Sequence, residues 1–569
     1  MINEKYLIWC EKATKDPDLV KELKEMAGND ELISDAFYTE LEFGTAGLRG
    51  VIGAGTNRMN IYTVGQASQG LADYVNSITK NGSIAISYDS RIKSDMFAKA
   101  SAEIFAANGL KVYMYSELMP TPMLSFAVRR LKCDAGVMVT ASHNPAKYNG
   151  YKAYGADGTQ LGPEAADYVL SIMKNVDAFT GVKTTDFDLA VKEGKIEYIG
   201  EDIINEYLEA VKAQQIEKGL DMSNLNLIYS PLNGTGNKPV REILKRVGLT
   251  NITVVPEQEL PDGNFPTAPY PNPEIRQSFE CALKLAETIP ADLLLATDPD
   301  CDRVGIAVRQ NGEYQLITGN DVGALLLYYI LSRKTASGTL PKNPIAVKTI
   351  VTSEICQKIC DDFGCQLINV LTGFKFIGEQ ISILEATNEQ NRFVLGYEES
   401  YGYLAGDHCR DKDAVVASML ICEMAAYYKH EGKTLIDVLN AIYDKYGYFY
   451  CSQTSFTCEG QSGMARIKGI MDDLRTNPPK AIGGSKVIKI NDYKTSISYN
   501  LENGEETKIT LPSSNVLSYF MEDGCSLIVR PSGTEPKIKL YIGAVESTHE
   551  KSLAKRAELT AEGTVLLGF

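Results

Sequence analysis

The chain has 569 residues and a formal net charge of −16, and 44% of its residues are hydrophobic and 23% charged. The length predicts roughly three to five domains, and the composition is typical of a folded globular protein. An acidic surface repels nucleic-acid phosphates, so we expect no nucleic-acid partner. We expect no membrane partner either, because the most apolar run, Val322 to Leu331, is too short to span a bilayer.

The beginning of the chain carries acidic residues and lacks the apolar core of a secretory signal peptide. Twelve cysteines are spread along the sequence without metal-type pairing, and there are only four histidines. Cys356, Cys360 and Cys365 stand close together, but the first two have helical spacing and core packing is favoured over a ligand cluster. Free buried thiols fit a reducing compartment, so we expect a cytoplasmic protein. The sequence gives no indication of the oligomeric state.

Residues up to about 40 have the pattern of amphipathic helices and include Trp9, the sole tryptophan. Further along, three short apolar runs each end in a polar loop, namely Ala135 to Val139, Leu293 to Ala296 and Phe393 to Leu395. Such runs between helix-length segments indicate β-α units in mostly parallel sheets. Because ligands bind at the carboxyl ends of these strands, we expect the loops to face one cleft. After about residue 483 the pattern alternates with period two and predicts antiparallel strands.

The predicted fold class is α/β, with four domains around a central cleft. Three related α/β units with mixed sheets are followed by a smaller C-terminal α+β domain. Boundaries are placed after a charged stretch near residue 200, at Asn311-Gly312 and at Tyr446-Gly447. The predicted domains, the first of which includes the N-terminal helical extension, are residues 1–200, 201–312, 313–445 and 446–569.

The segment Thr140 to Pro145, TASHNP, places Ser142 in a tight polar turn after a buried strand. A serine in this position can be a nucleophile. A turn or capping serine is the alternative, and this loop alone favours it. The neighbouring His143 is weak evidence of a catalytic pair, and the absence of GxSxG argues against a hydrolase elbow.

Asp298, Asp300 and Asp302 alternate in the loop DPDCDR. Three carboxylates this close repel each other unless a cation is bound, and oxygen ligands favour magnesium or calcium over zinc. An EF-hand is excluded, because its glycine and glutamate positions hold Arg303 and Arg309. A solvated acidic turn is the alternative, but apolar strands on both sides of the loop argue against it. The loop therefore predicts a magnesium site that leaves room for a phosphoryl oxygen.

The segment Arg530 to Lys537, RPSGTEPK, combines a guanidinium group, two hydroxyls and a glycine, which suits phosphate binding. An ordinary hairpin turn is the alternative. Two further segments are weak phosphate signals by themselves, the glycine-rich Gly44 to Gly50 and the loop Tyr88 to Arg91, while Asn233 to Gly236 is better explained as a plain turn. No Walker A sequence occurs, so a nucleotide triphosphatase has no support.

Taken together, TASHNP, DPDCDR, GYEESYG and RPSGTEP resemble the four signature loops of the alpha-D-phosphohexomutase superfamily, which contains phosphoglucomutases and phosphomannomutases. The match runs in order from about Phe43 to Ile542. The resemblance implies a magnesium-dependent isomerase of carbohydrate metabolism, with four domains around a deep cleft. Its small-molecule partners would be sugar phosphates. It would interconvert glucose 1-phosphate and glucose 6-phosphate through a phosphoserine, with glucose 1,6-bisphosphate as intermediate and activator.

The resemblance also assigns roles position by position. It implies the catalytic residues Ser142, Lys152, Lys375, His143 and Arg49. It implies the substrate-binding residues Glu398, Ser400, Arg530, Ser532, Gly533, Thr534 and Arg303. It implies the metal ligands Ser142, Asp298, Asp300 and Asp302. One position departs from the pattern, because Gly402 stands where some bacterial members have a histidine, so the assignment of proton transfer to Lys152 stays open.

Several alternatives remain at this point. A phosphomannomutase or a phosphopentomutase would belong to the same superfamily, and glucose is preferred here because the wording of GYEESYG is closer to that of phosphoglucomutases. A phosphatase that uses Ser142 or an aspartate is a second class, although DPDC lies deep in the chain rather than near the start of a core domain. A non-catalytic sugar-phosphate sensor is a third, and it is disfavoured because neither the nucleophile nor the metal ligands are missing.

Overall fold

The structure, a computed structural model, describes residues 2–44, 47–458, 460–532 and 537–569, without the side chains of residues 460–462. It divides into two compact units. The first unit comprises residues 1–318, 377–395 and 400–434, and the second comprises residues 319–376, 396–399 and 435–569. Within the described residues, no helix is both long and apolar enough to cross a membrane.

Three helices open the first unit: α1 (Ile2–Lys12), α2 (Pro17–Glu25) and α3 (Asp30–Phe37). The helix α2 begins where Asp16 caps it, accepting a hydrogen bond from the Asp18 N–H with Pro17 in the first turn. Trp9 packs edge-on against Phe37 and Phe179, with ring centroids 5.7 and 5.5 Å away. The amphipathic helices predicted for this region are confirmed.

The first sheet is mixed. Its elements and the helices around it are β1 (Leu48–Val51), α4 (Ile61–Ile78), β2 (Ser83–Tyr88), α5 (Ser94–Ala107), β3 (Lys111–Tyr115), α6 (Thr121–Arg130), β4 (Ala135–Val139), β5 (Tyr148–Gly155), α7 (Pro163–Asn175), α8 (Phe187–Lys192), β6 (Ile196–Ile199) and α9 (Glu201–Lys212). The strand order is β1-β5-β4-β2-β3-β6. The neighbouring strands β4, β2, β3 and β6 run parallel to one another. The strand β5 is antiparallel to both of its neighbours, β1 and β4.

The second sheet has the order β11-β10-β9-β7-β8. Its region contains β7 (Leu227–Ser230), α10 (Asn237–Arg246), β8 (Ile252–Val254), α11 (Pro256–Glu259), a 3₁₀ helix (Arg276–Phe279), α12 (Glu280–Ala286), β9 (Leu293–Thr297), β10 (Val304–Gln310) and β11 (Glu313–Ile317). Asn311 and Gly312 have φ angles of 52° and 90° and form the tight turn between β10 and β11. The strand β11 therefore completes this sheet.

The third sheet has the order β13-β12-β14-β15. Its region contains α13 (Gly319–Ala336), β12 (Ile345–Thr349), α14 (Ile355–Asp362), β13 (Gln366–Val370), α15 (Phe374–Ala386), a 3₁₀ helix (Gln390–Arg392), β14 (Phe393–Glu398), β15 (Gly402–Leu404), α16 (Ala414–His430) and α17 (Leu435–Tyr446). Cys356 and Cys360 lie on α14, and both are buried together with Cys365. Core packing of these thiols is confirmed.

The C-terminal part combines one antiparallel sheet with two helices. Its elements are β16 (Tyr448–Thr457), α18 (Gly460–Thr476), β17 (Ala481–Ile482), β18 (Ser485–Asp492), β19 (Ile497–Asn500), β20 (Glu506–Lys508), β21 (Leu517–Met521), β22 (Ser526–Pro531), β23 (Lys537–Glu546) and α19 (His549–Leu566). The strand order is β16-β23-β22-β21-β18-β19-β20, and β17 pairs with β18. The antiparallel α+β arrangement predicted for this region is confirmed.

Candidate active site

Ser142 lies three residues after the end of β4, in a turn that its backbone conformation makes unusual. Its φ angle is +52°, in the left-handed region that costs a residue other than glycine free energy. The Ser142 N–H donates to Thr140 Oγ1 at 2.8 Å, which fixes this conformation. The residue is 4% exposed. A strained and buried backbone that still offers a hydroxyl is typical of a functional turn.

The Ser142 hydroxyl joins two loops that lie far apart in the sequence. Its Oγ donates to Asp298 Oδ2 at 2.7 Å and lies 3.1 Å from His143 Nδ1. Burial and the charges of Arg303 and Arg49 hold the pKa of His143 well below its usual value, so the imidazole is neutral. Because the serine proton points to Asp298, the imidazole can donate its Nδ1–H to Oγ.

The three aspartates occupy the loop between β9 and β10, and all three are buried. Their carboxylate oxygens lie within 4.8 Å of one another. Asp298 Oδ1 accepts from the backbone N–H groups of Asp302 and Arg303 at 3.1 and 2.9 Å. Within the described residues, Asp300 Oδ1 and Asp302 Oδ1 are buried without a hydrogen-bond partner. Oxygen donors with unused lone pairs in one small space fit a magnesium ion.

The charges around this cluster are partly balanced by lysines. Burial, followed by the charges of Asp300 and Asp302, raises the pKa of Asp298 well above its usual value. Burial would also raise the pKa of Asp302, but Lys152, Lys412 and Arg303 outweigh it and the pKa falls. Burial lowers the pKa of Lys152, but the charges of Asp300 and Asp302 outweigh it, and the pKa lies above its usual value. A divalent cation bound here would favour the charged form of Asp298 and so lower its pKa.

Two buried ammonium groups contact the aspartates directly. Lys152, predicted for the site, lies on β5, and its Nζ is 2.7 Å from Asp300 Oδ2 and 3.2 Å from Asp302 Oδ2. Lys412, which sequence reasoning missed, places its Nζ 3.2 Å from Asp302 Oδ2 and 2.8 Å from Asp411 Oδ1. The available signal was the charged run Arg410 to Asp413, in which all four residues are buried.

Lys412 also explains why position 402, where some bacterial members of the superfamily have a histidine, is a glycine in this chain. A Cβ atom built on Gly402 would lie 2.1 Å from Lys412 Cδ and 2.6 Å from Lys412 Cγ. The lysine side chain therefore occupies the space into which a side chain at position 402 would extend. No larger residue at position 402 fits while Lys412 holds this position.

Arg49, Arg303 and Thr121 complete the surroundings in the first unit. Arg49 lies on β1 opposite Gly150, and its charge acts on His143. The Arg303 guanidinium is 2.5 Å from Glu274 Oε1. Thr121, which no motif indicated, donates its hydroxyl to Asp300 Oδ2 at 2.8 Å. The first residue of α6 is thus hydrogen-bonded to the loop that carries the three aspartates.

Ser400, predicted for sugar binding, belongs to the first unit and lies in the turn between β14 and β15. Arg303 also belongs to the first unit, whereas Glu398, Arg530 and Ser532 belong to the second. Glu398 ends β14, and its Oε1 accepts from the Gly373 N–H at 2.9 Å. This bond places Glu398 beside the turn that precedes Lys375, which lies in the first turn of α15.

Arg530 lies on β22 opposite Lys539 of β23, and its charge acts on the Tyr541 hydroxyl, whose pKa burial raises. Ser532 donates its N–H to the Lys537 carbonyl at 2.8 Å, which closes the base of the loop that follows β22. Gly533 and Thr534 were also predicted to bind phosphate, and they lie outside the described residues. The roles of all these side chains remain predictions.

Comparison with known proteins decides the family. Four models of the phosphoglucomutase/phosphomannomutase family match the chain in order: alpha/beta/alpha domain I over residues 40–179, domain II over 205–312, domain III over 318–446 and the C-terminal domain over 467–559. The chain belongs to the phosphoglucomutase/phosphomannomutase family. The resemblance drawn from the four loops and the predicted fold class are therefore confirmed. The domain boundaries given above stay predictions.

Relatives that are named phosphoglucomutase align with this chain over most of its length. A phosphoglucomutase of Staphylococcus haemolyticus is 38% identical over 507 residues, which span 89% of this chain and 90% of the relative. A phosphoglucomutase of Staphylococcus aureus is 37% identical over 539 residues, or 94% of each chain. Among solved structures, the open form of the Paramecium phosphoglucomutase parafusin is similar with a TM-score of 0.69 at 17% identity, covering 93% of this chain and 96% of that one. This last likeness concerns the fold alone.

Proposed function

We propose that this family member interconverts glucose 1-phosphate and glucose 6-phosphate by passing a phosphoryl group through Ser142. The observation that carries the proposal is the 2.7 Å contact between Ser142 Oγ and Asp298 within a cluster of three buried carboxylates. The relatives named phosphoglucomutase, at 37–38% identity over most of the chain, support the activity. The enzyme is thus a phosphohexomutase, an isomerase. The free thiols of its twelve cysteines fit the cytoplasm.

The reaction has two balanced half-reactions. In the first, a hydroxyl of the sugar monophosphate attacks the phosphorus of phosphoserine 142, the P–Oγ bond breaks, and the hydroxyl proton is taken up by the protein. The product is a bound sugar bisphosphate. After the bisphosphate has turned over, Ser142 Oγ attacks its other phosphoryl group, and the departing sugar oxygen receives a proton. Ser142 ends phosphorylated, so no phosphate is released to water.

The two buried lysines are the candidates for moving the proton. A charged ammonium group first donates a proton to the departing Ser142 Oγ, and the amine it becomes then takes up the proton of the attacking hydroxyl. Lys152 is the residue that the family resemblance assigns to this step. Lys412 is the candidate that the structure adds, because it fills the space beside Gly402, the position at which some bacterial members of the superfamily have a histidine. Both ammonium groups also counter the negative charge that the aspartates and a phosphoryl group bring together.

Ser142, Asp298, Asp300 and Asp302 would hold magnesium. When bound, the cation supplies positive charge to the phosphoryl oxygens. The protein's own contribution is to present the unpartnered oxygens of Asp300 and Asp302 and to keep Ser142 Oγ beside them. Oxygen-only donors disfavour zinc at this position.

Glu398 and Ser400 are proposed to bind the sugar hydroxyls, and Arg530 and Ser532, with Gly533 and Thr534, the phosphate that is not being transferred. A guanidinium group suits this anchoring role because it donates two parallel hydrogen bonds to one anion. Glucose and mannose share the configuration at C3 and C4, so hydrogen bonds to those hydroxyls discriminate poorly between the two sugars. We propose glucose as the better substrate, with mannose accepted more slowly.

The test is direct. Purified protein with magnesium and a trace of glucose 1,6-bisphosphate is given glucose 1-phosphate, mannose 1-phosphate or ribose 1-phosphate in turn. We expect the 6-phosphate of glucose to form fastest, without release of inorganic phosphate. A kcat/KM for ribose 1-phosphate tenfold above that for glucose 1-phosphate would replace the sugar assignment. Stoichiometric phosphate release would replace the mutase with a phosphatase.

A further inference from the structure

The loop between β2 and α5 lies directly beneath the Ser142 turn and carries a buried arginine. Arg91 is 3% exposed, so it does not reach solvent or a ligand. Its guanidinium donates to four backbone carbonyls of the Ser142 turn, namely those of Ser142, Asn144, Pro145 and Tyr148. Four donors spent on one turn fix the direction in which that turn presents its serine.

Asp89, two residues before Arg91, holds the same turn by a second route. Its Oδ2 accepts from the Thr140 hydroxyl at 2.6 Å, and Thr140 Oγ1 in turn accepts from the Ser142 N–H at 2.8 Å. Its Oδ1 accepts from the Arg91 N–H at 3.0 Å and from the Ser94 hydroxyl at 2.7 Å. The left-handed conformation of Ser142 is therefore maintained by Asp89 and Arg91 together.

The N-terminal end of α2 contacts this loop through Lys93. Lys93 has a φ angle of +64°, and its Nζ lies 2.5 Å from Asp16 Oδ2 and 2.9 Å from Asp18 Oδ2. Asp16 is buried at 2% exposure, whereas the Asp18 side chain is 77% exposed. Glu22, also on α2, contacts the loop after β1, where its Oε2 accepts a hydrogen bond from the Ala54 N–H at 2.8 Å.

These acidic residues precede the part of the chain that the family models match, which begins at residue 40. The segment from Ile2 to Phe37 nevertheless has a core of its own against the first sheet's domain, built from Trp9, Phe37 and Tyr62 among others. It is thus packed against this domain. Two of its acidic side chains, those of Asp16 and Glu22, contact the loop after β2 and the loop after β1.

We propose that Arg91 is a positioning residue for phosphoryl transfer, and that Asp16 keeps it in place by anchoring Lys93. Phosphoryl transfer requires the attacking and leaving oxygens in line, and a displacement of about 1 Å can cost about 100-fold in rate. The inference rests on the proposed role of Ser142. It gives the helical segment that precedes the family-matched region a part in catalysis.

The test uses conservative variants of the full-length protein. Arg91→Lys keeps the charge but cannot donate to four carbonyls, so kcat should fall at least about tenfold. The KM for glucose 1-phosphate should stay unchanged, because Arg91 does not reach the substrate. Asp16→Asn keeps a good helix cap but removes the charge, and it should lower kcat about threefold or more. Asp18→Asn is the matched control and should leave kcat unchanged, since exposed ion pairs contribute little.

The outcomes separate the claims. If Arg91→Lys and Asp16→Asn both keep the wild-type kcat within about twofold while the melting temperature falls, the contacts are merely structural and the proposal is overturned. If only Arg91→Lys loses activity, the N-terminal helices have no part in it. Should Arg91→Lys not fold, Asp16→Asn and Lys93→Met, with rescue by Lys93→Arg, decide the question. Activity that survives in Ser142→Ala would instead overturn the role of Ser142 itself.

Discussion

Gly402→Ala is the substitution that the site geometry makes most informative. The added methyl group would lie 2.1 Å from Lys412 Cδ and 2.6 Å from Cγ, and real Cβ atoms almost never approach another atom within 3.0 Å. The tip of the lysine is held by Asp411 at 2.8 Å and by Asp302 at 3.2 Å. We expect a displacement of the stem to disturb these ion pairs and to weaken the contact of Lys412 with its carboxylates.

The expected cost follows from the lost contact. A hydrogen bond to a charged group contributes about 1.5–3 kcal/mol, so kcat for glucose 1-phosphate should fall by about 10- to 150-fold. Glucose 6-phosphate formation, followed by a coupled dehydrogenase assay, measures it. Since Lys412→Ala should cost a similar factor, the double variant tests the mechanism: with the lysine stem gone, the methyl group at position 402 has room and should cost nothing more.

A full kcat in Gly402→Ala would refute the steric reasoning. Equal losses from Gly402→Ala in the presence and absence of the lysine would show that the glycine is needed for another reason, such as its own backbone. A fall in melting temperature without any loss of kcat would show that Lys412 contributes to stability and not to turnover.

Three further outcomes follow from the same site. Exhaustive chelation should abolish turnover and added magnesium should restore it, while Asp300→Asn should lower kcat by orders of magnitude; full activity after verified metal removal would contradict the metal assignment. Arg530→Ala should lower kcat/KM for glucose 1-phosphate by about 10- to 150-fold but spare the slow transfer from phosphoserine to water, and an equal loss of both would indicate misfolding. Glu398→Ala should lower kcat/KM for glucose and mannose phosphates by similar factors, and a loss confined to one sugar would show that Glu398 reads C2.

Much of the fold can be predicted from the sequence, because the pattern of apolar and polar residues in a segment indicates whether that segment is buried. The run Ala135 to Val139 is a buried strand with the same bounds, and the polar turn after it contains Ser142 as expected. The alternating aspartates were equally legible, since carboxylates at such spacing need a common partner. The mixed sheets that were predicted arise where β5 and β10 run antiparallel to their neighbours, but the apolar patterns of single strands do not show which strands reverse.

The missed residues depend on packing between distant segments. Lys412 is a site residue because its side chain contacts Asp302 and occupies the space beside Gly402, which has no side chain. Its neighbours in the sequence form only a charged run, which does not indicate these contacts. Asp89 and Arg91 were a weak phosphate signal, whereas in the structure they serve the backbone of the Ser142 turn. Asn311-Gly312, at a predicted domain boundary, forms the hairpin turn between β10 and β11, because residue types that favour tight turns suit both positions.

The central claim is that Ser142 carries the phosphoryl group, and phosphopeptide mass spectrometry measures it most directly. After treatment with glucose 1,6-bisphosphate and magnesium, the peptide that contains Ser142 should be phosphorylated. Addition of excess glucose 6-phosphate should then remove that phosphate and generate an equivalent amount of sugar bisphosphate. Ser142→Ala should fold normally and show neither the modification nor turnover. A phosphate found only on another residue, or mutase activity that survives in Ser142→Ala, would contradict the account.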